Sequence, residues 1–176
     1  MKKLLKFLGI IVAIILVYCA VAILFFDSRY HSEKSIIINA PKEKVWQNVN
    51  SMKAINSWSP WMEMDPNMNV EYKGTSGEIG DYFHWKGNED AGEGEEEITE
   101  IVPNEKISTK IHFMAPMNDN ATSGIHLKSE GNSTKVTWSM DFELETLMKP
   151  MKPYMNMMMN KSFEKGLNTL KTMSEK

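Results

Sequence analysis

Twenty consecutive residues without a charge, Phe7 to Phe26, follow Lys2, Lys3 and Lys6 at the start of this 176-residue chain. At a rise of ~1.5 Å per residue the run makes a helix of roughly 30 Å, the thickness of a bilayer's hydrocarbon core. Residues 7–26 therefore read as a transmembrane helix, and residues 1–26 as a membrane anchor. The lysines on one flank and Asp27 on the other orient it by the positive-inside tendency. The expected topology is single-pass in the cytoplasmic membrane, with the N-terminus inside and all that follows Asp27 outside the cytoplasm. A cleaved secretory signal is the competing reading. Against it, the run exceeds the usual ~7–15 residues of a signal core. The small-residue candidate Ala20-Val21-Ala22 also leads into Ile23-Leu24-Phe25-Phe26 rather than a polar exit. The single cysteine, Cys19, follows Tyr18, where lipoprotein processing wants a small residue, and reads as an inert thiol. With one cysteine there is no intramolecular disulfide and no cysteine-based zinc cluster.

Beyond the anchor, residues 27–34 read as a short polar linker and residues 35–176 as one domain, long enough to bury a core without staples. The chain has 20 Lys+Arg and 23 Asp+Glu, and residues 1–26 hold three lysines and no acid, so the remainder carries a net −6. Phosphate backbones repel such a surface, which argues against a nucleic-acid partner. Fifteen methionines are present; their flexible, polarisable side chains suit cores and adaptable binding surfaces alike.

Ser35-Ile36-Ile37-Ile38 reads as a strand. Pro41 then opens a helix carrying Val45, Trp46 and Val49, and a second short helix runs from Met52 to Asn56 before the aromatic turn Trp58-Ser59-Pro60-Trp61. From Val70 onward, apolar stretches of strand length alternate with Gly, Asn, Asp and Pro clusters, the punctuation of an antiparallel meander. Strands are predicted near 69–73, 80–86, 94–102, 106–114, 121–129 and 134–144. The chain closes with a long helix after Pro150 and Pro153, on which Met151, Met155, Met159, Phe163, Gly166, Leu170 and Met173 make one stripe.

Alternate strand residues share a face. This parity turns Val136, Trp138, Met140 and Phe142 inward, together with Phe83 and Trp85, Ile107, Ile111 and Phe113, and Ile125 and Leu127. His84, His112 and His126 fall on the opposite, solvent parity.

Ile38-Asn39-Ala40-Pro41-Lys42-Glu43-Lys44-Val45-Trp46 resembles the opening signature of the START-like (SRPBCC) superfamily, in the subgroup of the polyketide cyclase/dehydrase proteins. Trp58-Ser59-Pro60-Trp61, Asp65-Pro66-Asn67-Met68, Trp85-Lys86-Gly87-Asn88, Val136-Thr137-Trp138-Ser139-Met140 and Phe163-Glu164-Lys165-Gly166-Leu167 are similar to the same subgroup, so the resemblance spans about residues 35–173. It implies an α+β helix-grip fold: a seven-stranded curved antiparallel sheet around a long C-terminal helix, with two short helices after the first strand. It also implies a cavity between sheet and helix. From parity, its walls are expected to be Phe83, Trp85, Phe113, Trp138 and Met140, with Met155, Met159 and Phe163 from the helix and Trp58, Trp61 and Met64 near the mouth. Such a lining is that of a small-molecule pocket, unless the side chains fill the space completely.

For chemistry, the best inward polar residue is Glu96, in phase with Ile98, where desolvation raises a carboxyl's pKa and suits it to acid or base work. The competing picture is an edge of solvated carboxylates over Glu93, Glu95, Glu96 and Glu97. Thr109 and Ser123 share the inward parity as neutral hydrogen-bonders. Asp65 either caps its loop or meets a polar head group. No nucleophile, oxyanion or metal constellation and no cofactor motif is legible, and the acidic stretch 89–97 lacks the register of a calcium loop. Asn120-Ala121-Thr122 and Asn132-Ser133-Thr134 match glycosylation acceptors, relevant only in a eukaryotic source, whereas the resemblance points to a bacterial one. Three functions follow as expectations. The first is a membrane-anchored, non-enzymatic domain that binds a hydrophobic small molecule or lipid. The others are a cyclase/dehydrase-like enzyme using Glu96, and an envelope interaction or stress module without a ligand.

Overall fold

A computed structural model of the chain describes residues 2–176. The uncharged run forms α1 (Lys2–Phe25), long and apolar enough to cross a membrane and with nearly all its side chains exposed. Only its C-terminal part meets the rest of the chain, at a 3₁₀ turn over Thr146–Met151. There Ala22 is buried, and the Tyr18 hydroxyl donates to the Pro150 carbonyl at 2.8 Å. The last carbonyls of a helix lack partners within it. Here Lys149 reaches the Ile23 carbonyl at 3.5 Å, and Lys152 donates to the carbonyls of Asp27 and Arg29 at 3.3 and 2.8 Å.

The expected linker over residues 27–34 is largely absent, because β1 (Arg29–Ile38) begins at Arg29. Its polar first half alternates: Tyr30 and Ser32 are buried inward, while Arg29, His31 and Glu33 point out. The polar side chains find partners that sequence alone does not display, His31 with Asp141 at 2.7 Å and Lys34 with Glu164 at 2.7 Å. Only residues 26–28 separate helix from strand, a reach of about 10 Å.

After β1 come α2 (Lys42–Trp46), α3 (Met52–Asn56) and a 3₁₀ turn over Pro60–Glu63, then the strands β2 (Asn69–Lys73), β3 (Tyr82–Lys86), β4 (Glu93–Val102), β5 (Lys106–Ala115), β6 (Asp119–Glu130) and β7 (Ser133–Glu143). Helix α4 (Lys152–Ser174) closes the chain. Short turns make β2 to β7 a meander, and β1 adds antiparallel to β7, giving one sheet in the order β1-β7-β6-β5-β4-β3-β2. One turn depends on glycine: Gly92 has φ +65°, and a Cβ there would lie 2.3 Å from the Ala115 carbonyl oxygen. Helix α3 is fixed by two side chains. Ser51 accepts the Ala54 N–H at its N-cap, and buried Asp81 accepts the N–H groups of Met52 and Gly77 at 3.0 and 2.9 Å.

The stripe on α4 divides in two. Phe163, Gly166 and Leu170 are buried against the sheet together with Leu167, which the predicted stripe omits, whereas Met155 and Met159 are half-buried and Met151 is exposed. The C-terminal half of α4 thus closes the core, and its N-terminal half overhangs a space.

Candidate ligand cavity

That space is an open cavity of about 350 Å³ between the concave sheet face and the first turns of α4. Period-two alternation along β3 puts Phe83 and Trp85 on its wall, stacked 5.6 Å apart, and Phe113 of β5 meets the Trp85 ring edge-on at 6.1 Å. Trp85 lies flat because its β4 neighbour is Gly94, where a Cβ would come within 2.5 Å of the indole. The Trp85 Nε1–H donates to the Ala91 carbonyl at 3.1 Å, which fixes the ring in that pose.

Of the eleven expected lining residues, eight border the cavity: Trp61, Met64, Phe83, Trp85, Phe113, Met140, Met155 and Met159. Trp58, Trp138 and Phe163 do not. They are 2, 2 and 0 % exposed and pack on one another at the closed end, with Trp138 at 4.9 Å from Trp58 and 4.7 Å from Phe163. Trp138 and Phe163 have the inward orientation that parity and helical periodicity predict but sit too deep along the barrel-like axis to reach the void, and Trp58, expected near the mouth, instead packs on Trp138 at the closed end. Ile111 and Phe142, inward by parity as expected, also border the cavity, as do Met62 and Met68, neighbours of Met64 on the rim that the sequence does not single out. Asp65 pins that rim, its carboxylate accepting the N–H groups of Asn67 and Asn88 at 2.8 Å each.

The cavity opens at one end of the sheet. Register pairs Arg29 with Glu143, Phe142 with Ala121, and Ala115 with Glu93, so the start of β1, the end of β7, the start of β6, the end of β5 and the start of β4 all fall there. Gly92, Ala115, Pro116 and Met117 border the mouth. Helix α1 joins β1 at this same end.

Glu96 lies on the opposite, inner side of the void. The acidic run Glu93–Glu97 splits by parity: Glu93, Glu95 and Glu97 face outward toward Lys86, Tyr82 and Lys110, while Glu96 turns inward between Phe83 and Ile111. The picture of one solvated carboxylate edge therefore fails at Glu96, because β4 is an interior strand with a neighbour on each side. The Thr109 hydroxyl, 3 % exposed, donates to Glu96 Oε1 at 2.6 Å. Burial pushes the Glu96 carboxyl up to about 7, with the Thr109 hydrogen bond working in the other direction. A nook of about 20 Å³ adjoins it, bordered by Asn56, Ser59, Thr109 and Ser123 as well as Glu96, which is room for one water. Ser123 Oγ accepts the Trp138 Nε1–H at 3.1 Å. On the outer sheet face His84 and His112 each lie 3.5 Å from a carboxylate, of Glu93 and Glu95, and His126 is exposed. Among the described residues no group of three His, Cys, Asp or Glu is arranged to hold a metal ion.

Residues 29–175 match the family described as polyketide cyclase/dehydrase and lipid transport. The chain belongs to this family. Solved structures with the same fold include the Bacillus halodurans protein BH1534 (19% identity, TM-score 0.61, covering 84% of this chain and 99% of that one). Ara h 8.0201 is similar at 11% identity and TM-score 0.60, covering 83% and 97% of the two chains. The Chromobacterium violaceum protein CV1439 is similar at 14% identity and TM-score 0.57, covering 83% and 97%. At these identities the likeness establishes the helix-grip fold alone. No curated protein matches the chain.

Within this polyketide cyclase/dehydrase and lipid transport domain the cavity has a sharp division of chemistry. Its walls are mainly aromatic and methionine side chains, Asp90, Asp119 and Asn120 add polar groups beside Gly92 and Ala115–Met117 at the mouth, and its inner end is a carboxyl with three hydroxyls and an amide nearby. The walls reward burial of apolar surface at roughly 25 cal/mol per Å² without fixing orientation. Orientation falls to the polar end.

Proposed function

We propose that this chain is a membrane-anchored, non-enzymatic domain that holds a hydrophobic small molecule or lipid in the cavity between the sheet and α4, on the outer side of the cytoplasmic membrane. One observation carries the reading: an apolar cavity of about 350 Å³, ligand-sized, opens at the sheet end that α1 joins. The family's description includes lipid transport, which agrees with an apolar cargo. The lysines at positions 2, 3 and 6 support the orientation with the domain outside. With α1 in a bilayer, a three-residue tether keeps the mouth near it, which supports a membrane-partitioning ligand over a freely soluble metabolite. Lipid extraction and native mass spectrometry of the full chain purified from membranes test this. A bound apolar species is expected, and a protein that carries none and takes up none when lipids are offered would overturn it.

A second reading draws on Glu96, whose carboxyl titrates near neutral pH inside the cavity. It makes the domain a cyclase/dehydrase-like enzyme with Glu96 as general acid or base. Binding is preferred, because the nearest partners of Glu96 are hydroxyl groups rather than a second titrating residue. Turnover unaffected by Glu96→Gln would sink the enzymatic alternative.

A further inference from the structure

The wall of the cavity is unselective, but its inner end is not. Glu96 has no cationic partner among the described residues, and the hydrogen bond from Thr109 engages Oε1 only. Its remaining exposure is to the cavity and to the adjoining water-sized nook, which both border Glu96, Asn56 and Ser59. Phe83 and Ile111 flank it on the neighbouring strands and supply no donor. A carboxyl in such surroundings keeps acceptor capacity facing the cavity, and an apolar ligand that displaces water from it without offering a donor incurs a desolvation cost. A ligand that brings a donor to that oxygen recovers it. A ligand that brings a carboxylate sets two like charges together in a low-dielectric pocket.

We infer that the cavity takes an amphipathic ligand head first, with a hydrogen-bond-donating head, a hydroxyl or a primary amine, seated on the free oxygen of Glu96 and the apolar body against Phe83, Trp85 and Phe113, and that it rejects the corresponding carboxylic acid. This rests on the ligand-binding reading above and adds to it the polarity and direction of the ligand. Thr109 acts as a positioning residue: by occupying Oε1 it turns Oε2 toward the void. Ser123, already accepting from Trp138, keeps its own hydroxyl proton for a second contact or for the water in the nook.

The test is native mass spectrometry of the full chain in an alkyl dimethylamine-oxide detergent, whose head carries no donor at pH 8. Four probes of one chain length are compared at that pH: decan-1-ol, decylamine, decanoic acid and headless 1-bromodecane. Alcohol and amine adducts are expected at least tenfold above those of the acid and of 1-bromodecane. In Glu96→Gln, which retains the shape and the Thr109 hydrogen bond, the advantage over the acid should fall to within about threefold. Glu95→Gln, on the outer face, should leave it intact. Equal occupancy by alcohol, acid and 1-bromodecane would overturn the inference while leaving the binding reading in place, as would discrimination that survives in Glu96→Gln. Failure of all four probes to bind would overturn the binding reading itself.

Discussion

Glu96 makes the stability of the fold depend on pH in a direction opposite to that of an ordinary paired carboxylate. Burial raises its pKa from 4.5 to about 7 in the folded state. The folded protein therefore binds the proton more tightly than the unfolded chain. Stability from this group is complete below about pH 4.5 and is lost as pH rises through the folded value. At ~1.36 kcal/mol per pKa unit the full penalty is roughly 3 kcal/mol, most of which falls between pH 5 and pH 8. His31, raised by its hydrogen bond to Asp141, also favours the folded state at lower pH, so the wild-type curve alone does not isolate Glu96. The comparison with Glu96→Gln does, since glutamine cannot ionise and still accepts from Thr109. Urea unfolding of the full chain in mild detergent, followed by tryptophan fluorescence from pH 5 to pH 8, is the assay. The wild type should lose roughly 2–3 kcal/mol more than the variant across that range, with most of the divergence above pH 5. Parallel curves would refute the burial argument, and with it the assignment of Glu96 to the interior.

Three further substitutions probe other parts of the fold. Tyr30 stacks on Phe142 at 4.5 Å with its hydroxyl buried and, among the described residues, without a well-formed hydrogen bond, Ser32 being its one polar neighbour, so Tyr30→Phe should stabilise the domain by about 1 kcal/mol in the same urea assay. Asp81→Ala strands the buried N–H of Met52 and the N–H of Gly77, and a loss of about 3 kcal/mol is expected, with faster amide exchange at both positions. Gly94→Ala drives a methyl group to 2.5 Å from the Trp85 ring and 2.7 Å from the His112 carbonyl oxygen. It should cost about 1–3 kcal/mol and shift the tryptophan emission as Trp85 tips into the cavity.

Most strands were legible because turn chemistry brackets each of them, and the predicted span 69–73 coincides with β2. Residues 29–34 are not legible as a strand because a polar alternation looks like linker until its partners are known, and those partners, Asp141 and Glu164, lie more than a hundred residues away. The cavity wall was legible in part for a related reason. Parity reports which face a side chain occupies and says nothing about its depth along the strand. Phe83 and Trp138 both turn inward, yet only Phe83 reaches the void. Glu96 was the hardest case, since the local run of acids argued for solvent while the phase with Ile98 argued for the interior. The ladder to β3 and β5 decides it, and that pairing is a long-range property.

The brief connection between α1 and β1 has a kinetic consequence. With Lys149 on the Ile23 carbonyl of the helix, Lys152 on the Asp27 and Arg29 carbonyls beyond it, and three residues of slack, the domain cannot swing away from α1 as a head on a flexible leash would. If α1 resides in a bilayer, the mouth near Gly92 and Met117 samples a solvent layer in which lipid-soluble molecules are already concentrated, and the search for them becomes two-dimensional.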